Sequence, residues 1–452
     1  MSDHSATIDP ASRPRKHLLD MNGYQWAVLF AAWLGWGFDV FDGLLFNFVA
    51  PNCVPTLLHL RAGSDAAKHA TAYWTGVATS ILLIGWAMGG IVFGKIADRI
   101  GRSRTLMLTI LLYAGGTAAC AIAPSLPLLL LFRFIASLGI GGEWAAGASL
   151  VAEVVPEKRR VEAGALLYTS APFGLFFAVF VNSVISTVYF ADRPESSWRY
   201  VLACGLIPAA FAFFVRSLVK EPEVWERSDI RQRGRIRELF TPQYRSATLS
   251  GFIPALTILI TWWTCNAFLQ VIAADMALAT AAAQGLTAHA TTALKTSWIT
   301  LGSNAFNCGG LLGTLLTIPA AKYLGRRTMF GVYFLGSAAA LFTAFGHRWD
   351  PITQLWLFFP IGVTVFGVFG ACTYYLPELF PTRLRATGAG FCYNAGRFIT
   401  AIGPFIVGSY AKAGPSALGS VLHILCFVAA VPIIGLMFLP WVIETKNRVL
   451  ED

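Results

Sequence analysis

Charge is the first thing missing from this chain. Only 13% of its 452 residues are Asp, Glu, Lys or Arg, 56% are hydrophobic, and mean hydropathy is +0.61. A water-soluble domain carries about 25% charged residues, so that class is excluded. Period-two alternation is also absent, and several apolar runs are too long for strands, which argues against a β-barrel. The eight cysteines, at 53, 120, 204, 265, 308, 372, 392 and 426, show no close pairing, so neither a disulfide nor a metal site is expected. No nucleophile, metal or nucleotide constellation is present, so an enzyme and a bound cofactor are not expected.

What is present is a succession of apolar runs separated by short polar breaks. A membrane-spanning helix needs about 20 apolar residues, and twelve segments qualify: 24–50, 73–94, 105–123, 127–151, 162–190, 200–219, 248–272, 297–317, 327–346, 352–376, 386–411 and 418–442. The expected fold is all-α and integral to the membrane, with twelve transmembrane helices in two six-helix bundles. Residues 1–22 read as an N-terminal tail, 23–219 as the first bundle, 220–246 as a linker, 247–443 as the second bundle and 444–452 as a C-terminal tail. The Ala/Thr-rich stretch 276–293 reads as a loop.

Lys and Arg are unevenly shared between the two sides. Twenty-five of the 34 fall on one face, counting the N-terminal tail, 95–104, 158–160, 216–245, 322–327, 383–385, Lys446 and Arg448. Seven fall on the other face, at Arg61, Lys68, Arg193, Arg199, Lys295, Arg348 and Lys412. Basic residues accumulate in cytoplasmic loops, so both termini are expected in the cytoplasm, with the chain crossing the cell (inner) membrane many times. The net charge of +10 is then mostly topology, the basic segment 220–246 is a linker, and no nucleic acid partner is expected.

The chain also repeats itself. Glu153-Val-Val-Pro156-Glu-Lys-Arg-Arg160 returns as Glu378-Leu-Phe-Pro381-Thr-Arg-Leu-Arg385, displaced by 225 positions (378 − 153), and Gly101-Arg102 returns as Gly325-Arg326. Internal repeats in a chain of apolar segments are the sequence signature of secondary transporters, whose substrate lies between pseudo-symmetric halves near the bilayer midplane.

Between the second and third spans runs Gly94-Lys-Ile-Ala-Asp98-Arg99-Ile-Gly101-Arg102-Ser-Arg104. Glycines permit a tight reversal, and an acid among arginines can form a charge-assisted cluster with a neighbouring helix end. The order G-x-x-x-D-R-x-G-R resembles the signature loop of the major facilitator superfamily, and the resemblance extends to the twelve spans, the repeat and a closing Glu444-Thr-Lys446. It implies that Asp98 latches a cytoplasmic gate together with Gly94, Arg99, Gly101 and Arg102, with Glu153, Arg160, Glu378 and Arg385 as repeated gating residues. The second copy carries Lys322 where the first has Asp98, so the latch is expected to be asymmetric.

A charge at the centre of a span costs about 2.5–3.5 kcal/mol, which makes each one a functional-site candidate. Asp39 and Asp42 share one face of the first span through their i,i+3 spacing. Mutual repulsion and burial favour a proton on one of them, as proton coupling requires. In the fourth span, Arg133 and Glu143 stand about 15 Å apart by helix rise and cannot pair with each other. Arg397 lies about 18 Å beyond Arg385 in the eleventh span and cannot shed its proton. It must face a carboxylate, either a substrate's or, in a permanent salt bridge, that of Asp39, Asp42 or Glu143.

The paired aspartates, the Gly-Gly-Glu of span four and the Arg385/Arg397 pair resemble proton symporters of organic acids, especially the aromatic-acid and sialate-type groups. That resemblance implies transport roles for Asp39, Asp42, Glu143, Arg385 and Arg397, while Arg133 matches the family's buried fourth-span arginine, associated with proton coupling. The first-span motif FDVFDG departs from the aromatic-acid group's DGxD core. Trp262, Trp263 and Asn266 of span seven, with Asn304, Asn307, Tyr393 and Asn394 from later spans, are expected to complete the cavity. The expected activity is proton-coupled symport of a small organic anion by a monomer in the lipid bilayer. The alternatives are carriage of a neutral solute such as a sugar or polyol and, remotely, a receptor that transports nothing.

Overall fold

A computed structural model describes residues 21–100, 102–156, 159–207, 210 and 235–446. At 94, 95, 97–100, 102–104, 106, 142–150, 152–154, 160, 382, 383 and 386 it describes backbone alone. The tail 1–20, most of the linker 220–246 and residues 447–452 lie outside the described residues, as do Gly101 and the side chains of Asp98, Arg99, Arg102, Glu143, Glu153 and Arg160, while Gly94 is described as helical backbone.

Among the described residues the expected spans coincide with helix, the sixth only in its first part, since residues 208, 209 and 211–219 lie outside the described residues. The first is Gly23–Leu57 and the second Asp65–Ile100, followed by Arg102–Ile122 and Leu126–Val154. The fifth is built from Arg160–Tyr168, Ser170–Val184 and a wider π turn at Ile185–Tyr189, and the sixth begins at Pro194–Ala203. The seventh, Arg245–Ala283, and the eighth, Ala288–Pro319, lead to Arg326–Gly346 as the ninth. The tenth runs in pieces from Pro351 to Glu378, the eleventh joins Thr382–Thr400 to Ile402–Ala413, and the twelfth joins Ala417–Val428 to Ala430–Met437. Seven of these stretches are long and apolar enough on composition alone to cross a bilayer among the described residues. Met107–Ile122 and Leu126–Gly141 are shorter apolar stretches within the third and fourth spans. Helices suit this environment because their backbone groups are satisfied internally, whereas an unsatisfied group in lipid is costly.

One expectation fails locally. The stretch 276–293 is not a loop: the seventh helix continues through Ala283, and a four-residue turn at 284–287, with Gly285 at φ +62°, leads straight into the eighth. Alanine is the strongest helix former, so an alanine-rich stretch prolongs the helix instead of ending it.

The two halves use the same packing scheme. In the first, span two packs on four, one on five and three on six; in the second, eight packs on ten, seven on eleven and nine on twelve. Two close approaches need glycine. A Cβ on Gly141 would fall 2.0 Å from the Trp86 carbonyl oxygen, and one on Gly313 would fall 2.0 Å from that of Val363. Small residues of this kind let helices associate in a membrane, where lipid is as apolar as leucine and supplies no hydrophobic drive. The contacts between halves are duplicated too, with span two against eleven and span five against eight, while spans one and seven meet across the centre.

Candidate functional site

The middle of the molecule holds a cleft of about 390 Å³, its mouth included. Spans one, two, five, seven, ten and eleven contribute Trp36, Trp86, Tyr168, Trp262, Trp263, Phe366, Phe369, Tyr393 and one cation, Arg397, with Val40, Leu44 and Ala171 between them. The rings brace each other edge to face. Trp263 meets Trp86 at 5.7 Å and Trp262 at 4.7 Å, Trp36 meets Tyr168 at 5.4 Å, and Tyr168 lies parallel to Phe369 at 5.7 Å. Such offset and T-shaped pairs are the preferred aromatic geometries and hold the walls of the cleft in one arrangement.

Arg397 is 1% exposed. Its guanidinium sits 4.3 Å from the Trp86 ring and 4.5 Å from the Tyr393 ring, so it lies between an aromatic of each half. It donates to Asn394 Oδ1, and its Nε has no hydrogen-bond partner among the described residues. No carboxylate among those residues forms an ion pair with it. The permanent salt bridge to Asp39 or Asp42 is therefore not formed, and Glu143's side chain is outside the description. Asn394 in turn donates to Gly390 O at 3.0 Å and rests against Gly90 of span two.

A second polar centre is buried in the first half. Asp42, 1% exposed, accepts from Thr117 Oγ1 at 2.7 Å. Its Oδ1 has no hydrogen-bond partner and faces Gly205, where any Cβ would approach to 2.5 Å. Arg133 is its electrostatic neighbour, yet that guanidinium donates to the Gly43 carbonyl and covers the Phe46 ring at 5.1 Å. Asp39 is buried one turn earlier.

Other expected residues separate. Arg397, Tyr393, Trp262 and Trp263 line the cleft and Asn394 supports it, but Asn266, Asn304 and Asn307 do not reach it. Each of the three has a buried amide atom without a hydrogen-bond partner among the described residues, and Asn266, 1% exposed, has two. Trp36, Trp86, Tyr168, Phe366 and Phe369 were not anticipated. Their only trace in the sequence is aromatic identity, which packing and membrane-interface residues share.

Where the basic loops lie, Glu378 takes a fork of two hydrogen bonds from Arg326, at 2.8 and 3.1 Å, and a third from Thr445 at 2.6 Å. Glu444 accepts from the backbone amides of Arg326 and Arg327 at 2.9 and 3.1 Å, capping the ninth helix beside Gly325 at φ +87°. Glu444-Thr-Lys446 is thus tied down and is not a free tail. Arg385 is half-buried. Lys322, the residue that breaks the second copy of the loop motif, reaches across to Glu162 of the first half, which also accepts from Arg159 at 3.2 Å.

Two pseudo-symmetric bundles of membrane helices around a buried, aromatic-lined cleft are the architecture of a membrane transport protein. The sequence profile of the Major Facilitator Superfamily matches residues 26–404, and the chain belongs to that family. It is 30% identical over 430 residues to a probable 4-methylmuconolactone transporter of Cupriavidus pinatubonensis, covering 93% of this chain and 91% of that one. It is 25% identical to the sialic acid transporter NanX of Escherichia coli, covering 83% of this chain and 85% of that one. The xylose transporter XylE from E. coli, in a partially occluded inward-open conformation, superposes with a TM-score of 0.68 at 18% identity, over 95% of this chain and all of that one.

Proposed function

We propose that this transporter carries a small organic carboxylate together with protons, by alternating access around the central cleft. The observation that carries the proposal is Arg397, a buried guanidinium facing the cleft with no carboxylate partner among the described residues. A substrate carboxylate would supply the missing counter-charge, and the planar fork suits it bidentately. The surrounding rings suit an unsaturated or ring-bearing acid. A sugar would need many hydroxyl partners, donors and acceptors alike, and apart from Arg397, the two tyrosine hydroxyls and the donor-only indole N–H groups the lining is apolar. The relatives named for muconolactone and sialic acid favour an acid as well.

In this reading Trp262, Trp263, Tyr393 and Asn394 form the substrate site with Arg397, joined by Trp36, Trp86, Tyr168, Phe366 and Phe369. Asp42, with Asp39 and Glu143, carries the proton, and Arg133 takes part in the coupling as the fixed positive charge beside Asp42. The bundles 23–219 and 247–443 rock about the linker 220–246, both termini face the cytoplasm, and the protein works as a monomer. Asp98, Arg99, Arg102, Glu153, Arg160, Glu378 and Arg385 act in the gate.

A monovalent anion carried with one proton moves no net charge and answers only to the pH gradient. A second proton adds about 2.3 kcal/mol per 100 mV, roughly fortyfold accumulation. The deciding experiment is uptake into proteoliposomes under an inward proton gradient, with labelled benzoate-type, muconate-type, sialate and sugar substrates, at clamped zero and at negative-inside voltage. Accumulation of an acid that a protonophore abolishes is expected. Accumulation of sugar alone would remove Arg397 from the substrate site.

A further inference from the structure

The end of the molecule away from the basic loops holds a carboxylate that the mechanism above does not use. Asp275, near the close of the seventh span, is 6% exposed, and its Oδ2 has no hydrogen-bond partner. Its charged neighbours come from both halves: Lys295 from the eighth span of its own half, and Lys68 and His69 from the second span of the other. Lys295 is itself buried and donates across the seam to Asn52 Oδ1 of the first span, whose Nδ2 donates to Ser197 Oγ at 3.2 Å. His69 Nδ1 lies 2.6 Å from the Ala411 carbonyl oxygen, which can only accept, so that nitrogen carries the hydrogen.

Other titratable groups at this end have partners of their own, and Lys68 is shared, since it also pairs with Asp65 at 3.6 Å. His289 of the eighth span pairs across the seam with Asp192 of the first half at 3.0 Å, Lys412 of the eleventh span covers the Tyr73 ring at 4.4 Å, and His423 of the twelfth stacks on Tyr410. Asp350, ahead of the tenth span, accepts from the Thr353 amide at 3.0 Å, and its neighbour Arg348 is exposed. Spans two and eleven close this end tightly, since a Cβ on Gly76 would meet the Pro404 carbonyl oxygen at 2.3 Å. Small residues bring the two backbones together here, and Asp275 is a buried anion among the cations on both sides of the seam, whereas Asp65 and Asp192 are exposed.

We propose that Asp275 is a second proton-binding group, set in the seam between the halves, whose charge holds that seam shut. The charged carboxylate attracts Lys295 within its own half and Lys68 and His69 across the seam. In the low effective dielectric of a buried site such attractions are stronger than in water. Protonation removes them and leaves cations facing one another, so the halves part at this end and the cleft opens on the side from which the proton came. The proposal rests on alternating access and not on substrate identity or symport, so a failure of anion uptake leaves its test standing.

The test uses the full chain in nanodiscs with spin labels at Ala66 and Ala288, both exposed and on opposite halves. Lowering pH from about 7.5 to about 5.5 is expected to raise the long-distance population at least about threefold. In Asp275→Asn that population is expected to be high at both pH values, and Asp275→Glu is expected to restore the response. His69→Gln and His289→Gln, the controls for the two histidines at this seam, are each expected to keep it. A wild-type pH response in Asp275→Asn, or a response that disappears in either histidine variant alone, would overturn the proposal. Loss of response in Asp275→Asn with the seam fixed closed would overturn it too, because the neutral side chain would then not open the gate.

Discussion

Arg397 shows how one residue can be legible in a sequence while its surroundings are not. Its cost inside a span marked it as functional, and the cleft contains it. The rings that flank it carried no such mark, because a buried tryptophan in a membrane helix is used for packing as readily as for binding. Polar identity was no better guide to the lining: Asn266, Asn304 and Asn307 stand on the expected spans but are not among the residues that line the cleft. The first-span aspartates were readable as a pair, yet Asp42 takes its described partners, Thr117 and Arg133, from spans three and four. Removing one partner of a desolvated charge pair costs about 2–5 kcal/mol. Arg397→Met is therefore expected to weaken acid binding at least about thirtyfold, measured by calorimetry on purified protein, with Arg397→Lys recovering part of it. Unchanged affinity in Arg397→Met would place the carboxylate elsewhere.

Elements fail or hold through a few contacts at their ends. The second copy of the loop motif differs from the first by Lys322, and the sequence could only mark that as a departure. The structure gives the reversed charge an opposite partner, Glu162 on the other half, so the asymmetry lies in which half supplies the acid. Glu162→Lys is expected to loosen the basic end and raise cysteine labelling of the cleft from that side, and the swap Glu162→Lys/Lys322→Glu is expected to recover closure, with a coupling energy of about 0.5–3 kcal/mol in a double-mutant cycle. Additive effects would show that the pair does not gate. Glu444 governs another helix end. Partial burial works against its charge, but the amides of Arg326, Lys446 and Arg327 outweigh this and hold its carboxyl below the usual range. A lowered native value means that its contribution is complete above the ordinary carboxylate pKa and fades as pH falls through the native one. Glu444→Gln is therefore expected to melt at lower temperature near neutrality, with the gap to wild type closing in acid, as followed by thermal scanning in detergent.

At the scale of the whole molecule most of the architecture was legible, because a bilayer allows so few solutions. Twelve apolar runs had to be twelve helices, and a displacement of 225 residues had to mean two similar bundles; the matching pairs of packed spans follow from that. The exception at 276–293 arose where composition resembled a linker while the helix preference of alanine prevailed. The closed cleft itself was not legible, since it exists only where six spans from two halves converge. That convergence gathers Trp36, Trp86, Trp262 and Trp263, four of the chain's fourteen tryptophans, around the proposed ligand position. An occupant would touch a large share of the intrinsic emitters at once. Binding should therefore be visible as a saturable change in ultraviolet fluorescence, strongest for conjugated acids that absorb where indole emits and absent in Arg397→Met. The carrier would then report its own occupancy optically, without a label.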